Sequence, residues 1–129
     1  MKVLALDYGS ARTGVAVSDP TGTIVTPLDP ISPPDAAAVV AVAAERRAGL
    51  ILVGLPVSLD GEEGAQARAA REFASEVEAL AEIPVHTYDE RLTTRMAAAS
   101  RRAGSRAAED SLAAAHLLDS YLMSAEARR

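Results

Sequence analysis

The chain has 129 residues, 49% of them hydrophobic, with a formal charge of −5, one Phe, three Tyr, no Trp and no Cys. That length supports a single domain over residues 1–129, with an aliphatic, alanine-rich core; the missing cysteines exclude a disulfide framework, thiolate zinc sites and a thiol nucleophile. The acidic balance argues mildly against a general nucleic-acid binder, and with no signal-peptide pattern and no apolar run near the ~20 residues that span a bilayer, a soluble cytoplasmic protein away from membranes is the expectation.

The run Lys2-Val3-Leu4-Ala5-Leu6-Asp7 is apolar on both faces, which predicts a central strand buried on both sides. Gly14 to Ser18 reads as a second strand, Asp19-Pro20-Thr21-Gly22 as a hairpin turn, and Thr23 to Ile31 as a third strand. Pro27 and Pro30 assign that third strand to a sheet edge or an early end. Ser32 before Pro33-Pro34 predicts a helix N-cap, the helix running to about Ala48 with Gly49 as its stop. Leu50-Ile51-Leu52-Val53 predicts a buried parallel strand that ends at Gly54-Leu55-Pro56, followed by a turn at Asp60-Gly61. Ala70, Phe73, Val77 and Leu80 form the apolar stripe of the next helix. Ile83 to Tyr88 predicts the last strand, Thr93 or Thr94 caps a third helix, and a fourth spans roughly Ala108 to Met123. The order βββαβαβαα predicts an α/β fold, a mixed sheet with helices on its faces.

Sites in open α/β sheets lie outside the carboxyl ends of the strands, where Asp7, Gly54 and Glu90 all fall. A carboxylate closing a buried strand is costly unless it is paired or holds a metal, so Asp7 calls for a site. Asp89-Glu90 closes the last strand, and only one of the two can face a given side of the sheet. Asp110 shares a helical stripe with Ala113, Ala114, Leu117 and Tyr121, which points it inward; the alternative is a carboxylate favoured by the helix dipole. Were Asp7, Glu90 and Asp110 to converge, their repulsion would raise their proton affinity unless cations intervened. Hard oxygen ligands of this kind suit Mg²⁺ or Mn²⁺, which can activate water against a phosphodiester.

Four segments together carry a resemblance: Asp7-Tyr8-Gly9-Ser10-Ala11-Arg12-Thr13-Gly14-Val15-Ala16-Val17; Gly54-Leu55-Pro56 with Asp60-Gly61; Asp89-Glu90-Arg91-Leu92-Thr93-Thr94; and Asp110-Ser111-Leu112-Ala113-Ala114 with Tyr121-Leu122. In this order, over nearly the whole chain, they resemble the YqgF family of pre-16S ribosomal RNA nucleases, also described as Holliday junction resolvases. The resemblance implies an RNase H-like mixed five-stranded sheet with helices on both faces and a metal-dependent phosphodiesterase. It further implies that Asp7, Glu90 and Asp110 are the catalytic, metal-binding acids, with Mg²⁺ or Mn²⁺ as cofactor. The implied partners are nucleic acid, either precursor rRNA or branched DNA, and ribosomal particles; the chain acts as a monomer or a homodimer. One departure stands out: between the Asp-Glu-Arg motif and Asp110 the family carries a longer, lysine-rich stretch, whereas here it is short and holds no lysine, its basic residues after Arg95 being Arg101, Arg102 and Arg106.

The remaining candidates each have two readings. Gly9 and Gly14 permit tight turns, or Gly9 lets backbone approach a phosphate. Arg12 pairs with Asp19 or contacts substrate phosphate. Arg91 is a counter-ion for Asp89 and faces the substrate backbone; Arg95 and Arg102, two turns apart, form a solvated face or a phosphate-binding one. His86 and His116 read as packed or hydrogen-bonded histidines, and Tyr8 and Tyr88 as core residues beside the site. Two other classes stay open: a non-catalytic nucleic-acid- or ribosome-associated protein, and an actin-like nucleotide-binding module, which would need a second domain that 129 residues do not hold.

Overall fold

A computed structural model describes residues 1–56, 63–90 and 111–124. Five strands form one sheet in the order β3-β2-β1-β4-β5: β1 Val3–Asp7, β2 Thr13–Ser18, β3 Val25–Ile31, β4 Leu50–Leu55 and β5 Val85–Asp89. β1, β2 and β3 are antiparallel neighbours, while β4 and β5 run parallel to β1. The carboxyl ends of β1, β4 and β5 therefore share one edge of the sheet.

The doubly apolar runs of β1 and β4 have a direct cause: each strand feeds two cores. Leu4, Leu6, Val15, Val17, Ile51 and Val53 pack against α1 (Ala36–Glu45) and α2 (Ala65–Leu80). Val3, Ala5, Ala16, Leu50 and Leu52 pack against α3 (Leu112–Met123) on the other face. Aromatic rings tie each layer. Tyr8 stacks on Phe73 with centroids 4.9 Å apart, and Tyr88 meets Tyr121 edge to face at 5.6 Å. The mixed five-stranded sheet with helices on both faces is thus observed, and β3 with its prolines lies at an edge.

Several local expectations are corrected. The first helix is capped by Asp35, whose Oδ1 accepts from the amides of Ala37 and Ala38, because residues preceding proline are disfavoured from helical backbone. Ser32 instead donates to the Ala11 carbonyl. That helix stops at Glu45 rather than Ala48, with Arg47 taking the left-handed φ of 59° expected of a glycine, while the Gly49 amide already donates to Lys2 in the sheet. β4 continues through Gly54 and Leu55, because β5 pairs with it to the end. Leu80 is 54% exposed at the tip of α2, whose stripe is Ala67, Ala70, Phe73, Ala74 and Val77. On α3 the buried face is Ala114, Ala115, Leu117, Leu118 and Ser120, and Ala113 is exposed, so the stripe is rotated from the expected one. His86 is exposed, not packed, because β5 is an edge strand among the described residues. The predicted Asp60-Gly61 turn and the third helix lie outside the described residues.

Ser111, at the start of α3, joins helix to sheet. The register of β2 against β3 shifts between Thr13 and Val15, and the buried Val15 amide donates to Ser111 Oγ at 2.9 Å. Ser111→Ala would leave that amide without its acceptor, a loss of about 1–3 kcal/mol. Thermal melting should show it as a drop of several degrees; an unchanged melting temperature would mean that water takes over the hydroxyl's place.

Candidate active site

Asp7 alternates along β1 with Val3 and Ala5, and so lies on the α3 side of the sheet. Its neighbours there lack side chains. Gly14 stands opposite it on β2, and the Leu6↔Val53 register, carried one residue further, places Gly54 beside it on β4. Glu90 follows the end of β5 and folds back over the same glycine. A Cβ at position 54 would stand 2.7 Å from Glu90 Oε2 and 2.9 Å from Leu117 Cδ2. The Glu90 carboxylate therefore rests directly on β4 backbone, beneath α3 and on the side that Asp7 faces.

The electrostatics report that closeness. Burial pushes the Asp7 carboxyl above its ordinary value. Burial, then the charge of Asp7, then that of Asp89, push Glu90 up to about 7. Asp89 alternates with the buried Tyr88 and falls on the α2 side, where its charge opposes ionisation of Glu63 at the start of α2. Glu63 is held in its charged form chiefly by a two-pronged contact with Arg71.

Gly9 has a reason within its own loop: a Cβ there would lie 2.8 Å from the Arg12 carbonyl oxygen, so the chain turns too tightly for any other residue. Arg12 is exposed at the mouth of this loop. Asp19, one of its two expected partners, has its oxygens engaged by Thr21 Oγ1 and the amides of Thr23 and Ile24. Asp110, Arg91, Arg95 and Arg102, all named from sequence, lie outside the described residues. Sequence reasoning missed the contact between Gly54 and Glu90, which only the pairing of β4 with β5 reveals. It also missed Thr13, whose buried hydroxyl has no hydrogen-bond partner among the described residues.

Among the described residues no three His, Cys, Asp or Glu side chains gather as a metal cluster. What is gathered is a pair, Asp7 and Glu90, all-oxygen and mutually repelling. Mg²⁺ or Mn²⁺, which often take only one or two protein carboxylates and complete their shell with water and phosphate, fit that donor set.

A family model described as "RuvX: Holliday junction resolvase" matches residues 1–124. The chain belongs to the RuvX family. Among RuvX relatives, the "Putative pre-16S rRNA nuclease" of Rubrobacter xylanophilus is 42% identical over 127 residues, 94% of this chain and 91% of the relative. The protein of the same name from Thermobifida fusca is 46% identical over 104 residues, covering 78% of this chain and 65% of that one. The family is thus the one that the four sequence segments resemble, and both of these relatives carry a nuclease's name. Among solved structures, T. thermophilus RuvC in complex with a Holliday junction substrate superposes with a TM-score of 0.60 over 94% of each chain at 18% identity, a likeness of fold. No helix among the described residues is long and apolar enough to cross a membrane.

The raised carboxyls have a consequence for stability. Folded protein holds protons on Asp7 and Glu90 that the unfolded chain has released, so metal-free protein should lose stability as pH rises from about 4.5 to about 7. Glu90→Gln should flatten that slope and raise stability at pH 8 by ~1 kcal/mol, a few degrees of melting temperature, once partial solvent screening of this half-buried group is allowed for. Melts in chelator between pH 5 and 8 check this; a variant melting below the parent at pH 8 would mean that the carboxylate is satisfied rather than strained.

Proposed function

We propose that this protein is a metal-dependent nuclease that hydrolyses phosphodiester bonds in structured nucleic acid, with the 5′ end of pre-16S rRNA as its substrate in ribosome biogenesis. The observation that carries this reading is the convergence of Asp7 and Glu90 on one face of the sheet, at the ends of parallel strands and over a floor without side chains. A pair of desolvated, repelling carboxylates is poor structural economy and good cation chemistry. No nucleic-acid-binding role alone requires it.

Asp7 and Glu90 would hold the metal, with Asp110, the residue before the sheet-anchored Ser111, as third acid. When bound, Mg²⁺ or Mn²⁺ supplies an activated water and charge stabilisation at the scissile phosphate. The protein's own part is to fix its carboxylate oxygens at one depth and to place cations around the substrate backbone. Arg12, exposed at the end of the Gly9 loop, and Arg91, Arg95 and Arg102 are assigned to phosphates, and Gly9 to keeping that loop close. The family's description favours a second substrate, the four-way DNA junction. Symmetric cleavage of a junction would require two copies of the chain, against one for RNA processing.

Asp7→Asn, Glu90→Gln and Asp110→Asn should each lower metal-dependent cleavage by ~100-fold or more, since each removes an anionic ligand from a charge-stabilising site. The assay is pure protein with Mg²⁺ or Mn²⁺ on precursor rRNA and on synthetic junctions. A triple variant that cuts as fast as the parent would remove the assignment, and substrate preference decides between RNA and DNA.

Arg95→Gln with Arg102→Gln should weaken binding and reduce the slope of log affinity against log salt by ~1–2, the signature of lost phosphate contacts. An unchanged salt titration would return those two residues to the solvent.

A further inference from the structure

Gly54 is unusual for its surroundings. It lies within β4, paired with Tyr88 of β5, where glycine forgoes packing and adds conformational freedom to the unfolded chain. Its backbone is ordinary strand, with none of the positive φ that marks Gly22. Conformation therefore does not demand glycine here. Space does: a methyl group at this position would approach Glu90 Oε2 to 2.7 Å and Glu90 Cγ to 3.3 Å, with Leu117 Cδ2 at 2.9 Å above.

We infer that Gly54 is a positioning residue whose missing side chain forms the seat that sets the Glu90 carboxylate beside Asp7. This rests on the metal-dependent reading of the site. Three elements make the seat. β4 supplies the floor, because its in-register pairing with β5 brings Gly54 opposite Tyr88 and lets Glu90, two residues on, fold back over it. α3 supplies the roof through Leu117, which is 2% exposed and cannot swing away without unpacking Ala114 and Leu118. β1 supplies Asp7 at the side.

An added methyl has two ways out. It can lift α3, whose root is tied to β2 through the buried Val15–Ser111 hydrogen bond. Or it can expel the Glu90 carboxylate, which belongs to a half-buried side chain just past a strand end. The second meets less resistance, so Gly54→Ala should re-aim Glu90 while leaving the sheet in place.

The test uses the full chain and two readouts. In chelator, Gly54→Ala should lower the melting temperature by ~5 °C or more, and that penalty should shrink markedly when Glu90 is shortened, in Gly54→Ala with Glu90→Ala or Glu90→Asp. With Mn²⁺ alone followed by calorimetry, Gly54→Ala should bind ~10-fold or more weakly than the parent, the scale of a disturbed ligand-orienting contact; adding Glu90→Asp should recover part of that loss, and adding Leu117→Ala should not. A melting penalty independent of residue 90, or full recovery through Leu117→Ala, overturns the seat. If the residue-90 coupling appears but Glu90→Gln leaves Mn²⁺ affinity unchanged, the seat stands and the metal reading falls.

Discussion

The structure turns on a repulsion held in place. Asp7 and Glu90 come from strands that are not neighbours, and in water their charges would keep apart. Here the parallel pairing of β1 with β4 and of β4 with β5 brings both strand ends to one edge, and partial burial withdraws some of the carboxylates' solvent. The two aliphatic layers on either face supply the free energy that opposes this strain. Among the described residues these are the two carboxyls that burial raises, a local discomfort of the kind that gathers at functional sites.

Sheet topology explains why the discomfort is localised. Antiparallel β2 and β3 fill one side of β1, and parallel β4 and β5 the other, so Asp7 stands at the junction of the two modes. Glycines flank it on both neighbouring strands, Gly14 by observed pairing and Gly54 by continued register. The floor is therefore bare backbone around Asp7, and the groups rising from it are the carboxylates themselves. On the other face the same strands carry Leu6, Val53 and Leu55, whose close packing keeps the floor from yielding.

Much of this was legible in the sequence because it follows from composition along short runs. The doubly apolar β1 and β4, the proline-marked edge strand and the terminal positions of Asp7 and Glu90 need no long-range knowledge. What failed depended on neighbours. Ser32 looked like a cap until the two prolines after it delayed the helix to Asp35. His86 looked buried because an edge strand and a central one share an alternation pattern. The face of α3 was misjudged by one position because its small alanines give periodicity little contrast: Ala113 and Ala115 differ only in what the sheet presents to them. The role of Gly54 stays hidden, since nothing local says that a glutamate thirty-six positions later lies upon it. Asp110 and the arginines of the basic segment lie outside the described residues, and their placement rests on sequence.

The bond between Val15 and Ser111 spans 96 positions and closes the sheet onto its last helix. On the ribosome, a nascent chain still short of position 111 has the five strands' worth of sequence but no acceptor for that amide and no Leu117 to cover the glycine hollow. Long-range closures of this kind come late, after local contacts have formed. Such a chain would carry its two acids without a finished cavity between them.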